Sequence, residues 1–467
     1  MTMQNWWSKW QLPLLIIFLM LIWSILFSAT FTRPFWTADL HSIRHYSFSE
    51  LLSTFHGPFD PDGVETAALR PIQTLVYHLQ GTVFGDHIIL QRAFVTILMG
   101  GFLWSVGLLL RETGLSFRHI VVVLVLFASS RVFASLVLTL AVSHLILAYT
   151  FMVLTALFYL RWIKRDCGHL LALTFGFAAL AVFTREEAYT LPVALPLLWW
   201  LSSPHKSNYR RPIAVALGVA AIVALQYILR AVFVPDAPQL RIAQLWPALG
   251  QFWLAFHSSW MPGGSIVLEH DHLYNFVWTG FLFFLAAVFI RFSDKRRLEL
   301  VFGICVLGLV LCTPALVVPR AVGIALPSLA FFTAISVAVA DVQDGFSSGR
   351  YGQALWRPAI FVVCLIGLAI GVMAGVRRSG YVAEAMNENA AGSVIANGEH
   401  VFDMFGPLTI PEGRRRAMLA HLNALGIRSR EDVIRLRDSV DTTRRPRAQP
   451  LMLNPPMFLE KYEYMSF

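Results

Sequence analysis

The sequence is poor in charge and in cysteine. Only 14% of its 467 residues are Asp, Glu, Lys or Arg, whereas soluble globular domains carry about 25% charged residues. Three of the four cysteines lie in apolar runs, and their spacing indicates neither a disulfide framework nor a zinc site. Because 57% of the residues are hydrophobic, the composition excludes an ordinary soluble enzyme and a disordered protein.

Long apolar runs are abundant instead. They lie at about 11–31, 89–110, 118–137, 139–160, 168–183, 189–202, 212–234, 274–291, 299–318, 321–340 and 357–376. A membrane helix needs about 20 apolar residues, and backbone groups in lipid must be satisfied internally. We therefore predict an all-α polytopic membrane protein with about 11 transmembrane helices. The first run is interpreted as an uncleaved anchor, because it is long for a signal peptide.

The basic residues predict the orientation of these helices. With the N-terminus in the cytoplasm, fifteen Lys and Arg residues fall on the inside and about nine fall on the outside of the membrane part. The net charge of +9 is thus mainly an orientation signal, and no nucleic-acid partner is expected. The predicted location is the bacterial inner membrane, with the C-terminal tail outside.

The predicted organisation is a transmembrane domain at 1–376 and an outside tail at 377–467. Two long outside loops lie at about 32–88 and 235–272. The first loop is expected to carry amphipathic helices on the membrane surface. The second is rich in Trp and is interpreted as an interface anchor or a cover for a lipid chain. In the tail, a Ser429-x-x-Asp432 capping box predicts a small helical segment.

Two charged residues of the first loop are candidates for chemistry. Asp39 closely follows the first apolar run, so it either caps an interfacial helix or acts as a general base at a membrane cavity. Arg70 precedes Pro71, which suits a first helical turn. Its guanidinium would bind an anion or form a salt bridge with Asp60, Asp62 or Glu65.

An acid soon after the first run, followed by R-P-x-x-x-L-x-Y-x-L and then F-G at 70–85, resembles the GT-C glycosyltransferases. The protein O-mannosyltransferase-like branch is the most similar. The resemblance implies an outside active site and a sugar donor on a polyprenyl-phosphate or -diphosphate carrier. It matches Asp39 to the catalytic carboxylate. His41 and Tyr77 are predicted as supporting residues.

Further arginines occupy other outside connections. Arg185, Glu186 and Glu187 follow the fifth run, and the first two match a basic–Glu pair on the donor side of the resembling branch. Arg185 would bind phosphate with Glu186 or Glu187 holding it in place, or the three would form an ion pair within a turn. Arg320 would bind phosphate or snorkel to the interface. We hypothesise that Arg70, Arg185 and Arg320 converge on one anion.

No metal site is firmly indicated. His270 and His272 share a face of an extended segment, but a zinc site needs three or four ligands. A divalent cation therefore stays open as a cofactor. The favoured function is sugar transfer from a polyprenyl carrier to a hydroxyl acceptor on a protein, glycan or lipid. The alternatives are a transporter or flippase, and a non-catalytic envelope assembly protein.

Overall fold

The computed structural model describes most of the chain up to residue 347 and a few residues of the tail. The described residues are 3–26, 28–31, 46–58, 68–85, 87–128, 130–138, 140–202, 209–234, 295–317, 324–347, 428, 429, 431, 432 and 435. Within these ranges all regular secondary structure is helical. The helices are α1 Met3–Leu26, α2 Ser28–Phe31, α3 Phe48–Ser53, α4 Pro71–Phe84, α5 Ile88–Glu112, α6 Phe117–Ala128, α7 Arg131–Leu138, α8 Ser143–Arg165, α9 Gly168–Thr184, α10 Leu191–Ser202, α11 Arg210–Phe233, α12 Lys295–Val317 and α13 Ala325–Ser347.

Four of these helices are long and apolar enough to cross a membrane. They are α5, α8, α11 and the Lys295–Pro314 part of α12. Shorter apolar helices cover Trp10–Ile25, Phe117–Ala128, Gly168–Thr184 and Ala325–Ala338. The chain therefore has the character of an α-helical membrane protein. The runs predicted at 274–291 and 357–376 lie outside the described residues, so the count of about eleven spans stays a prediction.

The run at 118–137 is not one continuous helix. It divides into α6 and α7, and Ser130 lies at the junction. The Ser130 hydroxyl donates to the carbonyl of Phe127 at 2.7 Å and accepts from the backbone N–H of Phe133 at 3.2 Å. The Ser130 hydroxyl thus bonds backbone groups at the end of α6 and the start of α7, in place of the bonds that a continuous helix would make.

Helix α8 lies at the centre of the bundle. It packs against α5 and α9, and its Tyr149 and Tyr159 are among the largest fully buried side chains. Edge-to-face aromatic contacts extend this core, with ring centroids 6.0 Å apart for Phe102–Phe127 and 5.8 Å apart for Phe127–Phe133. Helix α8 thus contributes a large part of the buried core.

Helix α4 has its polar and apolar faces reversed relative to a soluble surface helix. It begins at Pro71, as predicted, and buries Gln73, Thr74, Tyr77 and Gln80. Its outward face carries three apolar side chains at a spacing of four residues, namely Leu75, Leu79 and Val83. An apolar outer face over a polar inner one suits contact with lipid.

The predicted capping box in the tail has the expected hydrogen bonds. Ser429 and Asp432 form a reciprocal pair, at 3.0 and 3.3 Å. A second capping box, which was not predicted from the sequence, begins α3. There the Ser47 hydroxyl accepts from the backbone N–H of Glu50, and the Glu50 carboxylate accepts from the backbone N–H of Ser47.

Candidate functional site

Five charged side chains meet at one end of the helical bundle. They come from three separate places in the chain: Arg70 immediately before α4, Arg185, Glu186 and Glu187 between α9 and α10, and Arg230 in the last turn of α11. We call these five residues the charged cluster. Charged groups at the edge of a membrane body are costly unless they pair or bind something.

Glu186 is the centre of the charged cluster. The Nε atom of Arg70 donates to both of its carboxylate oxygens, at 3.1 and 2.9 Å, and a terminal nitrogen of Arg70 lies 2.6 Å from Oε2. The guanidinium of Arg230 lies 3.9 Å from Oε1 of the same carboxylate. Glu186 therefore joins the residue that precedes α4 to the end of α11.

Arg185 and Glu187 form the second, more deeply buried pair. Arg185 reaches both oxygens of Glu187, from Nε at 3.0 Å and from a terminal nitrogen at 2.8 Å. The two side chains are only 10% and 14% exposed, so the pair is nearly withdrawn from solvent. The extended backbone at Arg185, between the end of α9 and the 3-10 turn Glu186–Thr190, turns the side chain toward its neighbour.

The charged cluster keeps both carboxylates ionised. Burial raises the pKa of Glu186, but the charges of Arg70 and Arg185 and the hydrogen bonds from Arg70 outweigh it and hold that pKa at about 2. Burial likewise raises the pKa of Glu187, and Arg185 lowers it below its usual value. Three arginines and two ionised glutamates leave these five residues with a net charge of +1.

Two hydrogen bonds link the Glu186–Thr190 turn through α11 to the residue before Arg70. The Tyr189 hydroxyl donates to Gln226, and the Gln226 amide donates to the carbonyl of Leu69 at 3.0 Å. Gln226 therefore fastens α11 to the segment that precedes α4.

A buried polar network fastens α4 to the bundle beside the charged cluster. Gln73 donates to the Tyr77 hydroxyl at 3.1 Å, and that hydroxyl lies 3.0 Å from Nδ1 of His144 on α8. Ser143, the neighbour of His144, donates to the side-chain oxygen of Gln80 at 2.6 Å. Tyr77, predicted as a supporting residue, thus holds the inner face of α4 against α8.

An apolar groove runs along the bundle from Leu191 to Thr113, Leu115 and Ser202 at the end opposite the charged cluster, and the five residues of the cluster are not among those that line it. Its cavity volume is about 180 Å³, and α5, α8, α10, α12 and α13 line it. Leucines dominate its wall, among them Leu191, Leu195, Leu198, Leu307, Leu311 and Leu326. Because Leu191 directly follows the Glu186–Thr190 turn, one end of the groove lies next to the turn that carries both glutamates.

The predicted site residues fall into two groups. The structure brings Arg70, Arg185, Glu186 and Glu187 into one cluster and buries Tyr77 nearby. Arg70 pairs with Glu186 across 116 positions of sequence, and Arg185 forms the ion pair within its own turn. Five predicted residues lie outside the described residues: Asp39, His41, Arg320, His270 and His272.

Sequence reasoning missed the α11 contribution. From the sequence, Arg230 is interpreted as a snorkelling side chain, but it points into the charged cluster and is 17% exposed. Gln226, one helical turn earlier, is fully buried. The available signal was the spacing, because two polar residues four positions apart in an apolar helix share one face.

No group of three or more His, Cys, Asp or Glu side chains suited to a metal ion occurs within the part of the chain that the structure describes. The carboxylates of the charged cluster are already engaged by guanidinium groups. Its chemistry is therefore that of arginine, which binds phosphate and carboxylate groups through paired N–H donors.

The sequence matches no model of a known protein family, and no curated protein sequence matches it either. The charged cluster, the apolar groove beside it and their attachment to the first outside loop are the features from which a function can be inferred.

Proposed function

We propose that the protein is a membrane glycosyltransferase, which moves a sugar from a polyprenyl-phosphate or -diphosphate carrier to a hydroxyl acceptor. The observation that carries the proposal is the charged cluster: three arginines and two glutamates, largely buried at one end of a bundle of apolar helices. Such a cluster gives a phosphate group charge-assisted hydrogen bonds. In this proposal it lies at the outer face of the bacterial inner membrane.

The charge of the cluster matches a phosphate-linked donor. Its net charge of +1 equals in size the single negative charge of the phosphodiester that would join a sugar to a polyprenyl chain. A diphosphate carries at least one further negative charge and would need another cation. The proposed phosphate-binding role of Arg320 would supply that cation, so the proposal covers both carriers.

The apolar groove supports a lipid-linked donor. A polyprenyl chain needs a continuous apolar surface next to the site that holds its phosphate. The groove supplies this surface through leucines of α10, α12 and α13, and it ends beside the Glu186–Thr190 turn. A soluble nucleotide-sugar donor carries no lipid chain that could bind such a groove.

In the proposed reaction, Asp39 is the general base. An oxygen of the acceptor hydroxyl forms a bond to the anomeric carbon while the bond from that carbon to the carrier phosphate breaks. The acceptor proton passes to Asp39, and the carrier leaves as polyprenyl phosphate, whose added charge the arginines stabilise. The loop that contains Asp39 is tied to the cluster at its other end by the Arg70–Glu186 and Leu69–Gln226 contacts. A single displacement inverts the anomeric centre.

The positions of the charges favour a transferase over a transporter. A transporter that binds its substrate at mid-membrane is expected to carry charged groups near the middle of its spans. Among the described residues, the ion pairs of the bundle lie at helix ends: next to α4, α9 and α11 in the charged cluster, and at Glu112, Arg161 and Lys164 elsewhere.

The proposal is tested with the purified full-length protein in liposomes. Sugars on polyprenyl monophosphate or diphosphate, labelled in the sugar, are supplied with envelope glycolipids and periplasmic proteins as acceptors, with and without EDTA. The Asp39→Asn variant is expected to lose transfer by about 100-fold or more, the usual contribution of a general base. Asp166→Asn, an exposed aspartate between α8 and α9, is the matched control and is expected to keep full activity.

Two outcomes contradict the proposal in different ways. Full activity in Asp39→Asn would show that another residue is the base. Absence of transfer from every donor, together with movement of the intact lipid across the liposome membrane, would instead identify a flippase.

A further inference from the structure

We infer that Gln226 is a positioning residue for the charged cluster: it holds three elements of the cluster in place, so that their arginines can bind the phosphate of a ligand. The inference deepens the proposed function and rests on it for the lipid that carries the phosphate. It follows from a second set of contacts, which joins the same elements without any charge.

The charged contacts join three elements of the chain. Arg70 lies immediately before α4, Glu186 lies in the turn between α9 and α10, and Arg230 lies in the last turn of α11. Terminal nitrogens of Arg70 and Arg230 lie 2.6 and 3.9 Å from the carboxylate of Glu186. All three elements therefore meet at one carboxylate.

The neutral contacts join the same three elements. The Tyr189 hydroxyl donates to the side-chain oxygen of Gln226, and the Gln226 amide nitrogen donates to the carbonyl of Leu69 at 3.0 Å. Tyr189 belongs to the turn, Gln226 to α11 and Leu69 to the segment before α4. Gln226 thus has the place in the neutral set that the carboxylate has in the charged one.

The two sets are close together in each element. Leu69 directly precedes Arg70, and Tyr189 is in the same 3-10 turn as the central glutamate. Gln226 is four residues before Arg230 on α11, so the two share one face of the helix. A shift of any element at Gln226 would therefore also move a charged side chain of the cluster.

The amide of Gln226 is suited to this task. Its oxygen accepts while its nitrogen donates, so one side chain holds a hydroxyl and a carbonyl at the same time. Gln226 is fully buried and Leu69 is 1% exposed, so water does not compete for the bond between them. Because a buried amide that loses its partners destabilises the protein, both contacts resist separation.

A phosphate that binds the cluster must share its arginines with the glutamates. When an arginine turns part of its guanidinium to the phosphate, its contact with Glu186 weakens, and so does the charged link between the elements. The contacts of Gln226 carry no charge and need not change when the anion binds. They therefore keep the elements in place while the guanidinium groups exchange partners, and the site is preorganised for its ligand.

The inference is tested by binding of farnesyl phosphate and of farnesol to the purified full-length protein in detergent. Gln226→Met nearly keeps the size of the side chain and removes both hydrogen bonds. It is expected to raise the Kd for farnesyl phosphate about tenfold, and Tyr189→Phe, which removes one hydrogen bond, about threefold. The Kd for farnesol should not change in either variant, because farnesol has no phosphate for the arginines to bind.

The matched control is Gln91→Met. Gln91 is also fully buried, and its amide donates to the carbonyls of Gln80 and Gly85, at the opposite end of α4 from Arg70. The variant should lose stability as Gln226→Met does, but keep the wild-type Kd for farnesyl phosphate. Thermal unfolding in detergent compares the stabilities. If Gln226→Met does not fold, Tyr189→Phe decides the question.

The results separate failure of the inference from failure of the proposed function. An unchanged Kd for farnesyl phosphate in Gln226→Met and Tyr189→Phe, or an equal rise in Gln91→Met, would overturn the role of Gln226 and leave sugar transfer untouched. An equal rise for farnesol would overturn it as well, because it would indicate a general loss of packing. If the wild type binds farnesol as tightly as farnesyl phosphate, the phosphate site of the proposed function fails, and the inference fails with it.

Discussion

The two ends of the helical bundle hold their charges in opposite ways. At the end with the charged cluster, the paired side chains of Arg70, Glu186, Arg185, Glu187 and Arg230 are all 18% exposed or less. At the opposite end, the charged side chains are mostly more exposed. Glu112, at 16%, pairs with Arg161 at 28% and Lys164 at 47%, and Asp166, at 62%, pairs with Arg211 at 58%.

This difference separates charges that orient the protein from charges that bind something. Exposed ion pairs contribute about 0–1 kcal/mol, and the basic residues of the opposite end fit the orientation signal that the sequence predicts. Buried pairs carry a large desolvation penalty that their attraction only partly offsets. An end of the bundle that retains two such pairs and an additional arginine is better explained by function than by stability.

Removal of Glu187 should give the largest effect and would test the comparison most severely. Glu187→Gln leaves Arg185 buried without its two charged hydrogen bonds, and we expect the free energy of unfolding to fall by about 3–5 kcal/mol. Glu112→Gln at the opposite end is the matched variant, with an expected loss of about 1 kcal/mol. Unfolding in detergent measures both, and equal losses would contradict the contrast between the two ends.

The second-largest effect is expected from Glu186, whose contribution to the free energy of unfolding should depend on pH. Its pKa in the folded protein, about 2, lies below the ordinary value of 4.5. Its contribution to stability is therefore complete above about pH 4.5 and is lost as the pH falls toward 2. At pH 7 we expect Glu186→Gln to be about 2 kcal/mol less stable than the wild type.

Comparing the two proteins across pH isolates this carboxylate from the others. The stability difference between wild type and Glu186→Gln should shrink as the pH is lowered from 4.5 to 2.5, because a protonated Glu186 resembles glutamine. A difference that stays constant over this range would show that the ionised form of Glu186 is not what the arginines stabilise.

A smaller effect is expected from the polar network under α4. Tyr77→Phe removes the hydroxyl that joins Gln73 to His144, and we expect a loss of about 1–2 kcal/mol in unfolding free energy. Tyr227→Phe is the matched control, because Tyr227 on α11 is 59% exposed. Its change should stay within about 0.5 kcal/mol. Similar values for both variants would mean that the network does not fasten α4.

The smallest effect is expected at the opposite end. Asp166 has a left-handed backbone (φ 50°) at the end of α8, and asparagine tolerates that conformation well. Asp166→Asn therefore removes the exposed pair with Arg211 and little else. We expect a change of less than about 1 kcal/mol. A larger loss in a thermal unfolding measurement would show that this end, too, depends on its charges.

The sequence predicted the helices better than it predicted the site. Hydrophobic runs placed α5, α9 and α11 within two residues of their observed ends, and Pro71 marked the start of α4, because length and polarity decide whether a segment suits lipid. The break between α6 and α7 was missed. The apolar run at 118–137 gives no sign of a break, because the break depends on the two hydrogen bonds of one residue, Ser130. At the site, Arg185, Glu186 and Glu187 were identified as charges between two apolar runs, and Arg70 was identified at the start of a predicted helix. The local Arg185–Glu187 pair agrees with the ion pair within a turn that was one of the two interpretations of this segment. The Arg70–Glu186 pair joins residues 116 positions apart, which no local pattern encodes.

The reversed polarity of α4 has a consequence for the order in which the protein is assembled during synthesis. The groups that satisfy its buried polar face come later in the chain, 63 and 67 residues on for Ser143 and His144. Glu186 follows 116 residues after Arg70, and Gln226 follows 157 residues after Leu69. The ribosome must therefore complete α8, the α9–α10 turn and α11 before Leu69, Arg70 and α4 have all these contacts. This segment is thus among the last parts of the described bundle to take its final place, although it is among the first to be made.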